Sequence, residues 1–225
     1  LMEQVRKEEQ EKQITERKLL QSQINPHFLY NTLDSIIWMI QSKKYEGAGK
    51  MVSMLAKFFR ISLSQGKDII PLQKELEHAV SYLSIQNVRF QDKFTLTVDW
   101  DEKLADCLCP KLVIQPLLEN AVYHGMEGMY EDGEIQLKIY AVNELVHIDV
   151  IDNGEGMTEA QVQKMMQGDV VSSKRGSGIG VKNVNDRIKL YFGEAYGVQI
   201  ISAPDEGTTA RIYFPMRRQE DETEK

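Results

Sequence analysis

Four stretches of this chain hold residues whose types and spacing could do chemistry. The first is QSQINPHFLYNTLDSI, Gln21 to Ile36, where His27 directly follows a proline inside an otherwise amphipathic helical pattern. His27 and Ile36 lie nine positions apart, about 900° of rotation on a helix of about 3.6 residues per turn. The imidazole therefore points away from Ile36, and away from Leu29 as well. It shares a face with Gln23, Ile24, Asn31 and Asp34. An exposed imidazole has an ordinary pKa of about 6.5 and keeps a nitrogen lone pair at neutral pH, so it is a plain surface residue or a nucleophile. Asn31, one turn further along that face, could orient a water or simply hydrogen-bond within a bundle.

The second stretch, LLENAVYHG, places Glu119 and Asn120 in an apolar helix. Such a polar pair is a capped surface turn or a Mg2+ site that keeps several waters. The third, DNGEGM, runs from Asp152 to Met157 at the end of an apolar strand and contains Gly154 and Gly156. Asp-Asn-Gly favours a turn; the functional alternative is a carboxylate at a pocket wall, accepting an N–H from the edge of a base. The fourth, GSGIGVKNV, has Gly176, Gly178 and Gly180 leading into a helix. Glycines allow close backbone approach, and a helix N-terminus favours an anion, so this is a flexible loop or a phosphate cradle. It lacks the Gly-Lys-Ser/Thr of a Walker loop and does not follow a strand in a βαβ unit, which excludes both of those nucleotide motifs.

These residues need elements to hold them. Leu1 to Leu20 is Glu-, Lys-, Gln- and Arg-rich with sparse apolar positions, as in an exposed or coiled-coil helix. Leu29, Leu33, Ile36, Ile37 and Ile40 recur at helical spacing. A break is expected at KKYEGAGK, then a second helix carrying Ala48, Met51, Val52, Leu55, Phe58 and Phe59, ending near Gly66. Two helices with a short connection form an antiparallel hairpin, and its uncovered apolar face is expected to pair with a second hairpin in a four-helix bundle. Leu29, Leu33, Ile36, Ile40, Met51, Leu55 and Phe58 are the expected dimer surface. Beyond Gly66 a helix starts near Pro71, FTLTVDW alternates as a strand, and Pro110 opens a helix that Gly125 stops. GEIQLKIY and LVHIDVID pair around Asn143; GVKNVNDRIKLYF is a helix; GVQIIS and TTARIYFP are strands. No βαβ rhythm appears, so the fold class is α+β with a mixed, mostly antiparallel sheet. The expected domains are residues 1–66 and 67–225.

Composition narrows the function. With 225 residues, 42% hydrophobic content and a net charge of −7, the chain has a real core but no basic surface for nucleic acid. Cys107 and Cys109 are too close to staple the fold and complete no zinc set. No apolar run approaches the roughly 18–20 residues of a membrane span. The chain starts at Leu1 in mid-pattern, so a membrane segment upstream is an open expectation.

In order, LLENAVYHG, DNGEGM and GSGIGVKNV resemble the N, G1 and G2 boxes of the Bergerat-type ATP-binding fold, shared by histidine kinases, gyrase-type ATPases and Hsp90. EGTTARIYFP resembles its closing strand, with Thr208 or Thr209 near the adenine. QINPHFLYNTLDSI resembles the phosphoacceptor box of the sensor histidine kinase family typified by LytS and YesM, and IQPLLENAVYHG is also characteristic of it. The resemblance covers Gln21 to Pro215. It implies autophosphorylation of His27 from ATP and transfer to an aspartate of a response regulator receiver domain. His27, Glu119 and Asn31 are its catalytic residues. Asn120, Asp152, Gly154, Gly156, Gly176, Gly178, Gly180 and Thr208 bind the nucleotide, with Mg2+ on Asn120. It further implies a homodimer and a cytoplasmic region attached to an upstream membrane sensor. By the resemblance, the helix continues through Pro26 with a kink, leaving the Ser22 carbonyl unpaired; by geometry alone Pro26 could instead open the helix after an Asn25 cap. There are departures. Phe28 follows the histidine where many kinases have an acid, and Tyr123 stands where many have a lysine; Lys174, Arg175 or Lys182 then supply charge to the phosphates. The rival is an ATPase of the same fold or a non-catalytic ATP-binding module, but Pro116 occupies the place of the ATPases' water-activating glutamate.

Overall fold

The computed structural model describes residues 26–62, 68–90, 93–125, 133–168 and 177–218. The expected helix over Leu1–Leu20, the Gly66 cap, Gly176, Lys174 and Arg175 lie outside these. The chain divides into two compact units between Ala56 and Lys57.

In the first unit, helix α1 spans Pro26–Gln41. It buries Phe28, Thr32 and Ile36, a stripe repeating every four residues. The Thr32 hydroxyl donates to the Phe28 carbonyl at 2.7 Å, which satisfies it inside that stripe. Helix α2 spans Tyr45–Ser62 and buries Ala48, Met51 and Leu55. The connection is shorter than the expected break, because Gly47 and Gly49 are already helical. A Schellman closure explains this. The Lys44 N–H donates to the Met39 carbonyl at 2.8 Å and the Lys43 N–H to that of Ile40 at 3.0 Å. Lys43 takes the left-handed position, φ 60°, that glycine usually fills.

The expected dimer surface needs correction. Ile36, Met51, Leu55 and Phe58 are buried within the chain, whereas Tyr30, Leu33, Ile37, Trp38, Ile40 and Val52 are exposed. The outward apolar stripe is mostly on α1, offset from the stripe that α1 buries.

The second unit is built on a five-stranded sheet. Its strands are β2 (Phe94–Trp100), β4 (Gly133–Val142), β5 (Leu145–Asp152), β6 (Gly197–Ser202) and β7 (Thr208–Pro215), in the order β2-β4-β5-β7-β6. Only β2–β4 is parallel, so the sheet is mixed and mostly antiparallel as expected. Asn143 and Glu144 both have positive φ, 49° and 62°, which is the two-residue turn that β4 and β5 require. One face buries Ile135, Leu137, Ile139, Ile148, Val150, Ile212 and Phe214. The opposite face carries Tyr140, His147 and Arg211, with Arg211 gripping Asp149 through two nitrogens at 2.8 and 2.7 Å.

Helices α3 (Leu72–Arg89), α4 (Ile114–Asn120), α5 (Glu159–Gln167) and α6 (Ser177–Phe192) complete the unit. Pro110 does not open α4. It ends β3 (Leu108–Pro110), a short strand paired with β1 (Ile69–Pro71). The helix begins four residues later and continues beyond Asn120 as a π turn, Ala121–Gly125. Helix α5 was not expected, although Thr158 and Gln161 form a capping box and Gly168 closes it at φ 86°. Helix α6 starts inside the glycine box, so Gly178 and Gly180 are already helical.

Candidate active site

A cleft opens beside the sheet at the end of β5. It is lined by Leu117, Asn120 and Ala121 from the α4 segment, Val150 and Asp152 from β5, and Gly156 and Met157 from the loop that follows. Met165 of α5 and Ile200, Thr208 and Ala210 of β6 and β7 close it. The wall is apolar apart from an amide, a carboxyl and a hydroxyl.

Asp152 is buried at the end of its strand. The Gly154 N–H donates to its Oδ1 at 3.0 Å. Burial pushes the carboxyl up to about 6, and the Gly154 and Thr208 N–H groups oppose that rise. A mostly ionised carboxyl at the floor of an apolar slot is a discriminating acceptor for the amino group of a flat heterocycle. Asn153 is turned away instead, its Oδ1 accepting the Glu134 N–H at 2.8 Å.

The loop after Asp152 is stapled to the β6–β7 turn. A side chain at Gly156, φ 67°, would put its Cβ 1.9 Å from the Ala203 carbonyl oxygen. One at Gly207, φ 78°, would lie 2.1 Å from the Asp152 carbonyl oxygen. Ser202 joins the two segments, accepting the Met157 N–H at 2.8 Å and donating to the Gly207 carbonyl at 2.8 Å. It also lies 2.9 Å from the Thr208 hydroxyl. Gly207 and Ser202 were missed in the sequence. The Asp-Glu-Gly turn was a signal for Gly207, but nothing marked Ser202.

The structure separates the polar pair of α4. Asn120 faces the cleft. Glu119 is outside the cleft lining, accepts from Gln115 Nε2 at 2.8 Å, and its carboxyl is raised by burial. A turn of about 100° between consecutive helical residues accounts for the divergence. Gly180 lies against Pro116: a Cβ added there would be 3.5 Å from the Pro116 Cβ, an ordinary contact distance between α6 and α4. The Lys182 stem lies over Gly168.

In the first unit His27 is exposed on α1. The Asn31 amide nitrogen is 2.9 Å from its Nδ1 and 3.0 Å from its Nε2. An in-plane hydrogen bond reaches one ring nitrogen only, so these near-equal distances place the amide across the ring. The structure thus brings His27 and Asn31 together, and separately brings Asn120, Asp152, Gly156 and Thr208 together.

Comparison with known proteins finds two family matches along the chain. Residues 15–94 match the family described as histidine kinase. Residues 106–218 match the histidine kinase-, DNA gyrase B-, and HSP90-like ATPase family. The sensor histidine kinase YesM of Bacillus subtilis (strain 168) is 40% identical over 205 residues, 91% of this chain and 34% of that protein. The sensor protein LytS of Bacillus anthracis is 34% identical over 211 residues, 93% of this chain and 36% of that protein. The chain therefore spans about a third of the length of the curated relatives it matches. Among solved structures, the catalytic domain of histidine kinase ThkA aligns with a TM-score of 0.51 at 16% identity, over 66% of this chain and 96% of that one, a likeness of fold. With both family matches on one chain, and with YesM and LytS aligned over 91% and 93% of it, this protein belongs to the sensor histidine kinase family of the YesM and LytS type.

Proposed function

We propose that this chain is an ATP-dependent histidine kinase core that phosphorylates His27 and hands the phosphoryl group to an aspartate of a response regulator receiver domain. The observation that carries the reading is Asp152, a buried carboxyl raised to about 6 at the floor of the cleft. It accepts the amino group of adenine, and Thr208 lies beside it. Asn120 faces the same cleft. Among the described residues no three His, Cys, Asp or Glu side chains gather as a metal cage. One amide oxygen fits Mg2+, which keeps several waters and takes its other ligands from nucleotide phosphates. Bound there, Mg2+ would neutralise charge on those phosphates. The first turn of α6 offers backbone N–H groups to the same anion.

In the transfer, a His27 ring nitrogen forms a bond to the γ-phosphorus as the bond to the bridging oxygen breaks. ADP leaves with that electron pair. The ring gives up its proton as the N–P bond forms, while Asn31 steadies the imidazole. Catalysis is then mainly positioning and charge neutralisation. The reading extends to a homodimer and to an upstream membrane sensor region that would make this a cytoplasmic part. Among the described residues no helix is long and apolar enough to cross a membrane. The ATPase alternative lacks its base, because Pro116, which carries no carboxylate, stands in that place.

Nucleotide titration tests the reading. Mg·ATP should bind the chain in clear preference to Mg·GTP, whose base presents a carbonyl where adenine has its amino group. Asp152→Asn should abolish measurable ATP binding with the fold intact. Equal affinity for the two nucleotides, or an unchanged ATP affinity in that variant, would remove Asp152 as the anchor.

A further inference from the structure

Glu75 belongs to α3, a helix that contributes nothing to the cleft lining, yet it is fully buried. Its Oε1 accepts the N–H groups of Val113 at 2.8 Å and Ile114 at 3.0 Å. Its Oε2 accepts that of Leu112 at 2.9 Å. A helix start leaves such donors unpaired, and here one carboxylate from another helix satisfies two of them and the N–H just before the cap. Local capping is absent, since Val113 at the N-cap makes no side-chain bond. Leu112 sits at φ 58°, a conformation an L residue adopts only when its surroundings impose it. The start of α4 is therefore set by Glu75, not by its own sequence.

The same short segment is held from the other side. Arg187 of α6 donates to the Lys111 carbonyl at 2.7 Å. Burial raises the Glu75 carboxyl; the three N–H groups and the Arg187 charge oppose that rise. The Glu75 carboxylate thus ties α3 to the start of α4, and Arg187 ties α6 to the residue just before it. Asn120 lies six residues along α4 from Ile114, about 9 Å at 1.5 Å per residue. Over so short a rigid helix, an axial slip or rotation at the start reaches Asn120 undiminished.

We propose that Glu75 is a positioning residue of the nucleotide site, fixing the axial position and rotation of α4 so that Asn120 meets the metal–phosphate end of a nucleotide whose base is held independently by Asp152. The inference rests on the nucleotide reading above. It separates two halves of the site: the base end is anchored on β5 and the β6–β7 turn, and the phosphate end depends on α3.

The test measures ADP affinity by calorimetry on the full chain, with Mg2+ and with a chelator, for the unmodified protein, Glu75→Gln and Glu75→Asp. Circular dichroism and a thermal transition report folding, and hydrogen exchange of the Leu112–Ile114 amides reports the local cap. Glu75→Gln keeps the volume but turns a donor toward donors. It should bind metal-free ADP within about twofold of the unmodified chain and lose at least roughly tenfold of the Mg2+-dependent gain, the usual scale for losing a residue that orients a metal ligand. Glu75→Asp, one methylene short, should fall between, with faster exchange at Leu112–Ile114. A merely structural role would lower the thermal midpoint and leave the Mg2+-dependent gain alone. That result, or equal losses with and without Mg2+, overturns the inference. If Glu75→Gln does not fold, Glu75→Asp decides by the same ratio. An unmodified chain that binds no ADP overturns the nucleotide reading and this inference together, whereas an unaltered ratio in a folded variant overturns this inference alone.

Discussion

Asp152 concentrates the chemistry of the cleft in one proton. Its carboxyl is raised to about 6 because burial disfavours the charge more than two N–H groups restore it. The sign for folding follows. The unliganded fold holds this proton more tightly than the unfolded chain does, so the Asp152 contribution to stability is greatest below the ordinary value of 3.8 and is lost as pH rises through about 6. Nucleotide binding runs the opposite way, since an amino group pairs with the ionised form. ATP affinity should therefore fall with pH below about 6, approaching tenfold per unit. Calorimetry from pH 5 to 8 checks this; a flat profile would mean the carboxyl does not face the base. Asp152 and Asn120 stood out in the sequence as polar residues within apolar runs, and His27 as an imidazole after a proline on the polar face of its helix. Glu75 was not. In QKELEH it reads as a solvated helix face, and its burial comes from a loop 37 to 39 positions away.

Elements were legible where periodicity or turn chemistry is local. Helix α1 as an element, α3, and the β4–β5 hairpin with Asn143 follow directly from pattern. The start of α4 was not legible, because its cap comes from α3 across the core. Helix α5 was passed over because its only fully buried side chain is Met165, which leaves little apolar periodicity to read. The α1–α2 turn offers a clean test of local energetics. Lys43 at φ 60° is exposed and closes α1 with backbone bonds alone. Lys43→Gly should stabilise the hairpin by about 1 kcal/mol, the lower end of the cost of a left-handed L residue. The denaturant midpoint of the hairpin transition measures it, and a destabilised variant would show that the Lys43 side chain, not its backbone, matters there.

At the scale of the whole molecule, the two groups of functional residues sit in different compact units, His27 and Asn31 in one and the cleft in the other. The burial of individual apolar residues was not legible, since helical spacing alone does not say which of two stripes faces inward. Leu33 at 42%, Ile37 at 51% and Ile40 at 48% exposure are the ones left outside. A contiguous apolar stripe of this kind marks an association surface. Light scattering at micromolar concentration should show a dimer, and Leu33→Glu with Ile37→Glu should yield a folded monomer. A monomer for the unmodified chain would remove the dimer from this account.

The central claim is phosphoryl transfer from ATP to His27. Incubation with γ-labelled ATP and Mg2+, followed by acid and base treatment, tests it most directly, because a phosphohistidine is lost in acid and survives base. The account predicts an acid-labile, base-stable label on the unmodified chain and none on His27→Gln, with ATP affinity unchanged in that variant because His27 and the cleft lie in separate units. His78 offers no substitute, being fully buried with its pKa lowered to about 4. An acid-stable label, or label retained by folded His27→Gln, would contradict the account.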